Sequence, residues 1–349
     1  MKRLDCSIRN PQSAIQNAFV GRHLVIGIQG TSLDSGLEIF LKKICPAGII
    51  LFSRNIVSLR QLKKFISDLR EVLGDVFFVI DHEGGVVHRF SEEEPQAHLH
   101  VTHFPGNLDL GRTQGVNGAY QQGQVMAQEL ISLGVDVNFA PMVDVLTPAS
   151  SSVSNLRFLG EDPALVSKLG GALIRGMQGK GLAATAKHFP GLGGATLDPH
   201  DDLPLIHFSL DEMEQVHLKP FRRAIKNDVA FIMTTHLHCL HWDSDYPVTL
   251  SKKIVHDFLR EKYAFHNVII SDDLEMGAMT RRFSLEESVV GAIEAGHDLV
   301  IIGHHSDLIE RGYEALSRAY QSGRLKEENL RQSSLRIKSV LEKLRVERK

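Results

Sequence analysis

Short apolar runs rich in valine, isoleucine and phenylalanine recur along the whole chain, separated by amphipathic stretches of helical length. The runs predict strands at His23–Ile28, Ala47–Phe52, Val76–Asp81, Asp136–Ala140, Ala183–Phe189, Phe231–His236, Val268–Asp272 and Asp298–Ile302. Between them the pattern predicts helices over Leu59–Leu73, Gly118–Leu133, Pro163–Lys180, Leu210–Ile225, Lys252–Tyr263 and Ser284–Ala295. Several of these carry acidic residues early, where they face the positive end of the helix dipole. Strands that are apolar on both faces, each followed by a crossover helix, belong to parallel sheets. Eight such units in one chain predict an α/β fold of the closed (β/α)8 TIM-barrel type. A barrel of this kind occupies about 250 residues or more, so a single domain over residues 1–349 takes in nearly everything. The remainder from Ser306 reads as the helix after the last strand and an extra, charged C-terminal helix at about 326–347.

Composition narrows the function classes. With 43% hydrophobic and 23% charged residues the chain is of ordinary globular type, able to bury a large core. A net charge of -3 gives no general pull toward nucleic acid and favours a small or neutral partner. The start, MKRLDCSIRNPQSAIQ, lacks the apolar centre of a secretory signal, and no apolar run reaches the roughly 18 to 20 residues that span a bilayer. The expectation is a cytoplasmic protein with no membrane partner. Cys6, Cys45 and Cys239 are odd in number and without CxxC spacing, which fits reduced thiols. No heptad or large apolar stripe points to assembly, so a monomer is expected.

In a TIM barrel the chemistry sits at the C-terminal ends of the strands. Polar residues gather there: Asp81-His82-Glu83-Gly84-Gly85, Lys187-His188-Phe189-Pro190-Gly191, His236-Leu237-His238 and Ser271-Asp272-Asp273. An aspartate on a rigid strand end suits a fixed nucleophile, and glycoside cleavage with retention needs one such carboxylate and a separate proton donor. Asp272 and Asp273 both qualify, and because both strand faces are apolar the spacing does not choose between them. For the donor, the loop after the fifth strand carries Asp198-Pro199-His200. Residues two apart in an extended segment project to the same side, so Asp198 can orient His200 and raise its basicity for acid and then base duty near neutral pH.

These segments together resemble glycoside hydrolase family 3, and within it the bacterial single-domain β-N-acetylglucosaminidases (β-hexosaminidases) of cell-wall recycling. The likeness runs through AGIILFSRN, IDHEGGVVHRF, GVDVNFAPMVDV, RFLGEDP, ATAKHFPG, LDPHDDLP and IISDDLEMGAM, in the family's order and spacing from roughly Gly27 to Gly303. It implies Asp272 as the nucleophile, His200 as the acid/base and Asp198 as its partner. Asp81, Arg89, Arg157, Lys187 and His188 match sugar-binding positions. The implied reaction is removal of terminal nonreducing β-linked N-acetylglucosamine from muropeptide fragments through a glycosyl-enzyme intermediate, without cofactor or metal. The chain departs from the family pattern in two places. Gly191-Leu192-Gly193-Gly194-Ala195 stands where the family has His after Pro-Gly followed by Gly-Asp-Thr, and Pro199 stands where Ser is usual, restricting Asp198 before it. The segment around Asn155-Leu156-Arg157 also matches loosely, and an Arg157 pairing with Glu161 is the structural alternative there.

Two other readings compete. His236-Leu237-His238-Cys239-Leu240-His241 has the density of a metal site, although metal-dependent hydrolases on this barrel place HxH after the first strand. A barrel that binds sugar without turning it over is the other, and against it stands the pairing of a strand-end aspartate with Asp198 and His200.

Overall fold

The computed structural model describes residues 19–90, 100–148, 150, 155–195, 197, 199 and 202–348. Eight parallel strands close on themselves in chain order: β1 (Leu24–Gly27), β2 (Gly48–Leu51), β3 (Phe77–Ile80), β4 (Val137–Asn138), β5 (Ala183–Phe189), β6 (Phe231–Thr234), β7 (Val268–Asp273) and β8 (Leu299–Ile302). β1 pairs with both β2 and β8, Val25 opposite Gly48 and Leu24 opposite Val300, so the sheet has no open edge. Each of the eight apolar runs thus supplies one barrel strand, and the (β/α)8 barrel is as the pattern predicts.

Packing resolves the face that the sequence left open. Val25, Phe77, Val79, Val268 and Ile270 meet in the lumen. Leu24, Ile26, Phe78, Ile80 and Ile269 lie in the layer between strands and helices. Because side chains alternate along a strand, the next lumen-facing position after Val79 is Asp81, whereas on β7 the register against β8 shifts after Ile270, so that Ile301 lies opposite Asp273. On β5 Ala183 is a lumen residue while Ala184 and Ala186 face the helices, which gives Lys187 the lumen side. β3 and β5 therefore deliver Asp81 and Lys187 to the same mouth by counting in twos from their buried anchors, and β7 brings both Asp272 and Asp273 there.

The opposite mouth is plugged. The helix Glu327–Val346 sends Ile337, Val340, Leu341 and Leu344 into the lumen cluster. Its arginine Arg336 holds Asp298 at the start of β8 (3.0 Å), and Arg348 just beyond it holds Asp136 at the start of β4 (3.1 Å). Removing this apolar area from water contributes stability at roughly 25 cal/mol per Å2.

Local signals explain the remaining elements. Leu59–Leu73 is helical over the predicted span, capped by Ser58, whose side chain accepts from Gln61 N while Gln61 returns the bond. The stretch predicted as one helix over Leu210–Ile225 is two, Leu210–Gln215 and Leu218–Lys226. Pro220 is the reason: it has no N–H to give to Val216, and its ring fits only the first turn of a new helix. β4 is shorter than predicted, yet its pairing is continued by a side chain, since Asn138 accepts from His82 N (3.0 Å) and donates to His82 O (2.9 Å). At the open mouth a short parallel pair, Leu205–Ile206 with His238–Cys239, ties the loop after β5 to the loop after β6.

Candidate active site

A cavity of about 460 Å3 opens at the C-terminal ends of the strands. Asp81, Glu83, Arg89, Arg157, Lys187, His188, Thr235, Asp272, Asp273, Glu275 and His304 line it, with Phe52, Leu192 and Met276 as part of its apolar wall. The structure thus gathers six of the expected site residues, Asp81, Arg89, Arg157, Lys187, His188 and Asp272, around one space. Asp198 and His200 lie outside the described residues. Pro199 between them lines the cavity and accepts a hydrogen bond from Ala278 N at 3.0 Å.

The charged floor is built from two carboxylates and three cations. Lys187 Nζ reaches Asp81 Oδ1 at 2.8 Å and Glu83 Oε1 at 2.7 Å. Arg89 meets Asp81 Oδ2 at 3.2 Å, and Arg157 grips Glu83 through Nη2 at 2.7 Å and Nε at 3.0 Å. Burial opposes ionisation of Asp81, but Lys187 and Arg89 outweigh it and hold the carboxyl below its usual range. The same contest, with Arg157 and Lys187 winning over burial, keeps Glu83 far below the ordinary glutamate value. Lys187 is raised in turn: burial disfavours its charge, and Asp81 and Glu83 more than restore it. Arg157 is therefore a cavity residue bonded to Glu83 rather than a surface arginine.

Neither Glu83 nor Asp144 was picked out as a site residue from the sequence, and each carried a signal. Glu83 stands two residues after Asp81, and a lone aspartate sits in the apolar run Met142-Val143-Asp144-Val145. Asp144 is fully buried beneath His188, accepting from His188 N (3.1 Å) and Leu192 N (2.6 Å), with His188 Nδ1 at 2.7 Å. A carboxylate on Nδ1 fixes the tautomer and leaves Nε2 for the cavity. The loop whose sequence departs from the family pattern is thereby anchored at Leu192.

On the far side Asp272 Oδ1 accepts Asp273 N at 2.9 Å. Glu275 accepts the backbone N–H groups of His304 (2.6 Å) and His305 (3.1 Å), joining the loop after β7 to the loop after β8. The HxH histidines are each engaged by protein groups. His236 Nδ1 meets Thr249 Oγ1 at 2.7 Å and its Nε2 meets the Asp273 carbonyl at 2.9 Å, while His238 Nε2 meets the Asp243 carbonyl at 3.1 Å. Among the described residues no group of three or more His, Cys, Asp or Glu is placed to hold a metal ion, and no helix is long and apolar enough to cross a membrane.

Comparison with known proteins identifies the family. Residues 32–340 match the glycosyl hydrolase family 3 N-terminal domain. A β-hexosaminidase of Hydrogenovibrio crunogenus is 34% identical over 286 residues, 80% of this chain and 78% of that protein. One of Tolumonas auensis is 33% identical over 282 residues, 80% of this chain and 81% of the relative. Among solved structures, a family 3 β-N-acetylglucosaminidase of a Paenibacillus species superposes with a TM-score of 0.90 at 31% identity, covering 95% of this chain. This chain spans 62% of that longer protein. With a family match over most of its length and relatives above 30% identity across four-fifths of it, the chain belongs to glycosyl hydrolase family 3.

Proposed function

We propose that this family 3 glycoside hydrolase is a retaining exo-β-N-acetylglucosaminidase, with Asp272 as nucleophile and His200, oriented by Asp198, as acid/base. The observation that carries the reading is the cavity at the strand ends, where Asp272 at the end of β7 stands in the wall across from the charged floor. Asp272 follows the lumen residues Val268 and Ile270 on β7 and borders a space floored by Asp81, Lys187 and the Glu83-bound Arg157. Cations and a carboxylate held rigidly by one another suit bidentate gripping of adjacent sugar hydroxyls, and a closed floor under them suits a terminal sugar.

In the first step an Asp272 oxygen bonds the anomeric carbon as the glycosidic C–O bond breaks, and His200 gives its proton to the departing oxygen. In the second, His200 takes a proton from water as that water bonds the anomeric carbon and Asp272 leaves. His200 follows Pro199, which lines the cavity. A neutral imidazole also avoids placing a second anion against an anionic aglycone such as a muropeptide, the substrate class this reading favours. We assign the activity to a single barrel domain acting as a monomer in the cytoplasm.

The test is release of aryl alcohol from an aryl β-N-acetylglucosaminide by wild type, Asp272→Ala and His200→Ala, with and without chelator. The expected result is a loss of more than about 10³-fold in Asp272→Ala. His200→Ala should lose about 10² to 10⁴-fold on a poor leaving group and much less on an activated one. An inactive wild type that still binds sugar would replace this reading with a binding barrel, and chelator sensitivity would replace it with a metal mechanism.

A further inference from the structure

The helix Leu218–Lys226 buries Leu218, Phe221 and Ala224, and each polar residue it has is a cation. Lys219, Arg222, Arg223 and Lys226 stand at i, i+3, i+4 and i+7, so all four share its exposed face. Like charges at these spacings repel one another and oppose the helix. The helix Ser306–Gln321, by contrast, interleaves Asp307, Glu310, Arg311, Glu314 and Arg318, and its arginines Arg311 and Arg318 reach Glu286 and Glu314 at 3.0 and 3.6 Å. Among the described residues, none of the four side chains on Leu218–Lys226 forms an ion pair or a hydrogen bond.

Two clefts border this face. One, of about 640 Å3, is lined jointly by this helix and by the helix Pro163–Gln178, which adds Lys168. The other, of about 330 Å3, lies beside Lys262, and Arg222 and Lys226 line both. Tyr263 in the wall of the smaller cleft has a hydroxyl without a hydrogen-bond partner among the described residues. Together the clefts hold six cations and one carboxylate, Glu214, a formal +5 on a chain of net charge -3, which leaves -8 for the remainder. None of these residues lines the cavity at the strand ends.

We propose that this face is a docking surface for an acidic segment of a partner protein, a short stretch of chain that sets several carboxylates against the four cations. The stripe fixes its length. The nine residues of the helix reach about 13 Å, so carboxylates three and four apart on a partner helix, or at alternate residues of an extended segment, come opposite it. A nucleic acid or an anionic bilayer carries charge well beyond that length. It would run from the stripe on to the acidic remainder, beginning with the exposed Asp211 and Glu212 on the preceding helix. The concave walls also suit a chain segment better than a flat bilayer. Carboxylates laid along the stripe relieve the repulsion among its cations, which the fold itself leaves unrelieved.

The experiment follows the fluorescence anisotropy of a fluorescein-labelled peptide of about 12 residues, with glutamates three and four apart, as the full chain is added at about 0.05 M salt. Lys219→Glu with Arg223→Glu reverses two charges of the stripe. Arg60→Glu with Lys63→Glu makes the same change of net charge on the exposed side of Leu59–Leu73. Wild type and the Arg60/Lys63 variant should bind saturably, and the Lys219/Arg223 variant at least about tenfold more weakly. That variant sets opposite signs at the same helix spacings, so its thermal midpoint should not fall below that of wild type. Wild type alone gives a second readout: its affinity should weaken about tenfold between about 0.05 M and about 0.3 M salt. No binding by wild type, an equal loss in both variants, or an affinity indifferent to salt overturns the proposal. So does tighter binding of a DNA duplex of about 12 base pairs, or of phosphatidylglycerol vesicles, than of the peptide. Binding is read without turnover, so the outcome is independent of the reaction assigned to the cavity.

Discussion

Glu83→Gln is the perturbation that bears most directly on how the cavity floor is held. Glu83 is 2% exposed and satisfies two cations at once, Arg157 through two bonds and Lys187 through one. Around it stand Asp81, Arg89, Arg157 and Lys187, so loss of one negative charge takes this group of five from a formal +1 to +2. Breaking a buried pair by removing one partner costs about 3 to 5 kcal/mol, and glutamine, which keeps one acceptor oxygen, should sit at the lower end, about 3 kcal/mol at neutral pH. The pH dependence has a definite sign. The folded-state pKa of Glu83 is depressed, so its contribution is fully present above the unfolded value of about 4.3 and is lost as pH falls through it toward the folded value. By about pH 3.5 wild type should have lost about 1 kcal/mol that Glu83→Gln never had, and the gap between them should narrow by that amount. Urea unfolding at the two pH values measures both numbers, and kcat/KM on an aryl N-acetylglucosaminide should fall roughly tenfold or more as Lys187 and Arg157 lose their fixed geometry. A variant within about 0.5 kcal/mol of wild type at neutral pH, or a gap unchanged on acidification, would refute the account of the floor.

Two further outcomes follow from contacts elsewhere. Asp144→Asn removes a charge-assisted bond to His188 Nδ1 and should lower kcat/KM about 10- to 100-fold while thermal unfolding shows the barrel intact; nitrogen-15 NMR of His188 should report the altered tautomer. Leu341→Ala opens a space in the plug of the closed mouth and should cost about 2 to 5 kcal/mol in urea unfolding, with KM unchanged.

The barrel was legible because a parallel strand buried on both faces and a crossover helix each leave a periodic signature, and both recur here through the chain. What makes a strand readable as buried also hides which side is which, and at the end of β7 both Asp272 and Asp273 border the cavity, so the preference for Asp272 comes from the family resemblance. Arg157 shows a second limit. A helix-spacing rule suggests a neighbour such as Glu161, whereas its partner Glu83 is 74 residues away and brought near only by closure of the barrel. Asp144 and His304 are of the same kind, since their partners His188 and Arg54 come from other strand ends. The break at Pro220, by contrast, was written in the sequence as a residue that cannot continue a helix, and the amphipathic period concealed it.

Strand parity also says which changes of length this protein can absorb. Deleting a single residue from Val268–Ile270 would draw Asp272 and Asp273 back along β7 and undo several contacts at one stroke, unless the register shift already present between β7 and β8 absorbed it. Insertions in the loop after β5 shift no barrel strand. Such a barrel should therefore diversify by loop length and by substitution while its strands keep their residue count, so that new specificities arise at Gly191–Ala195 long before they arise on β7.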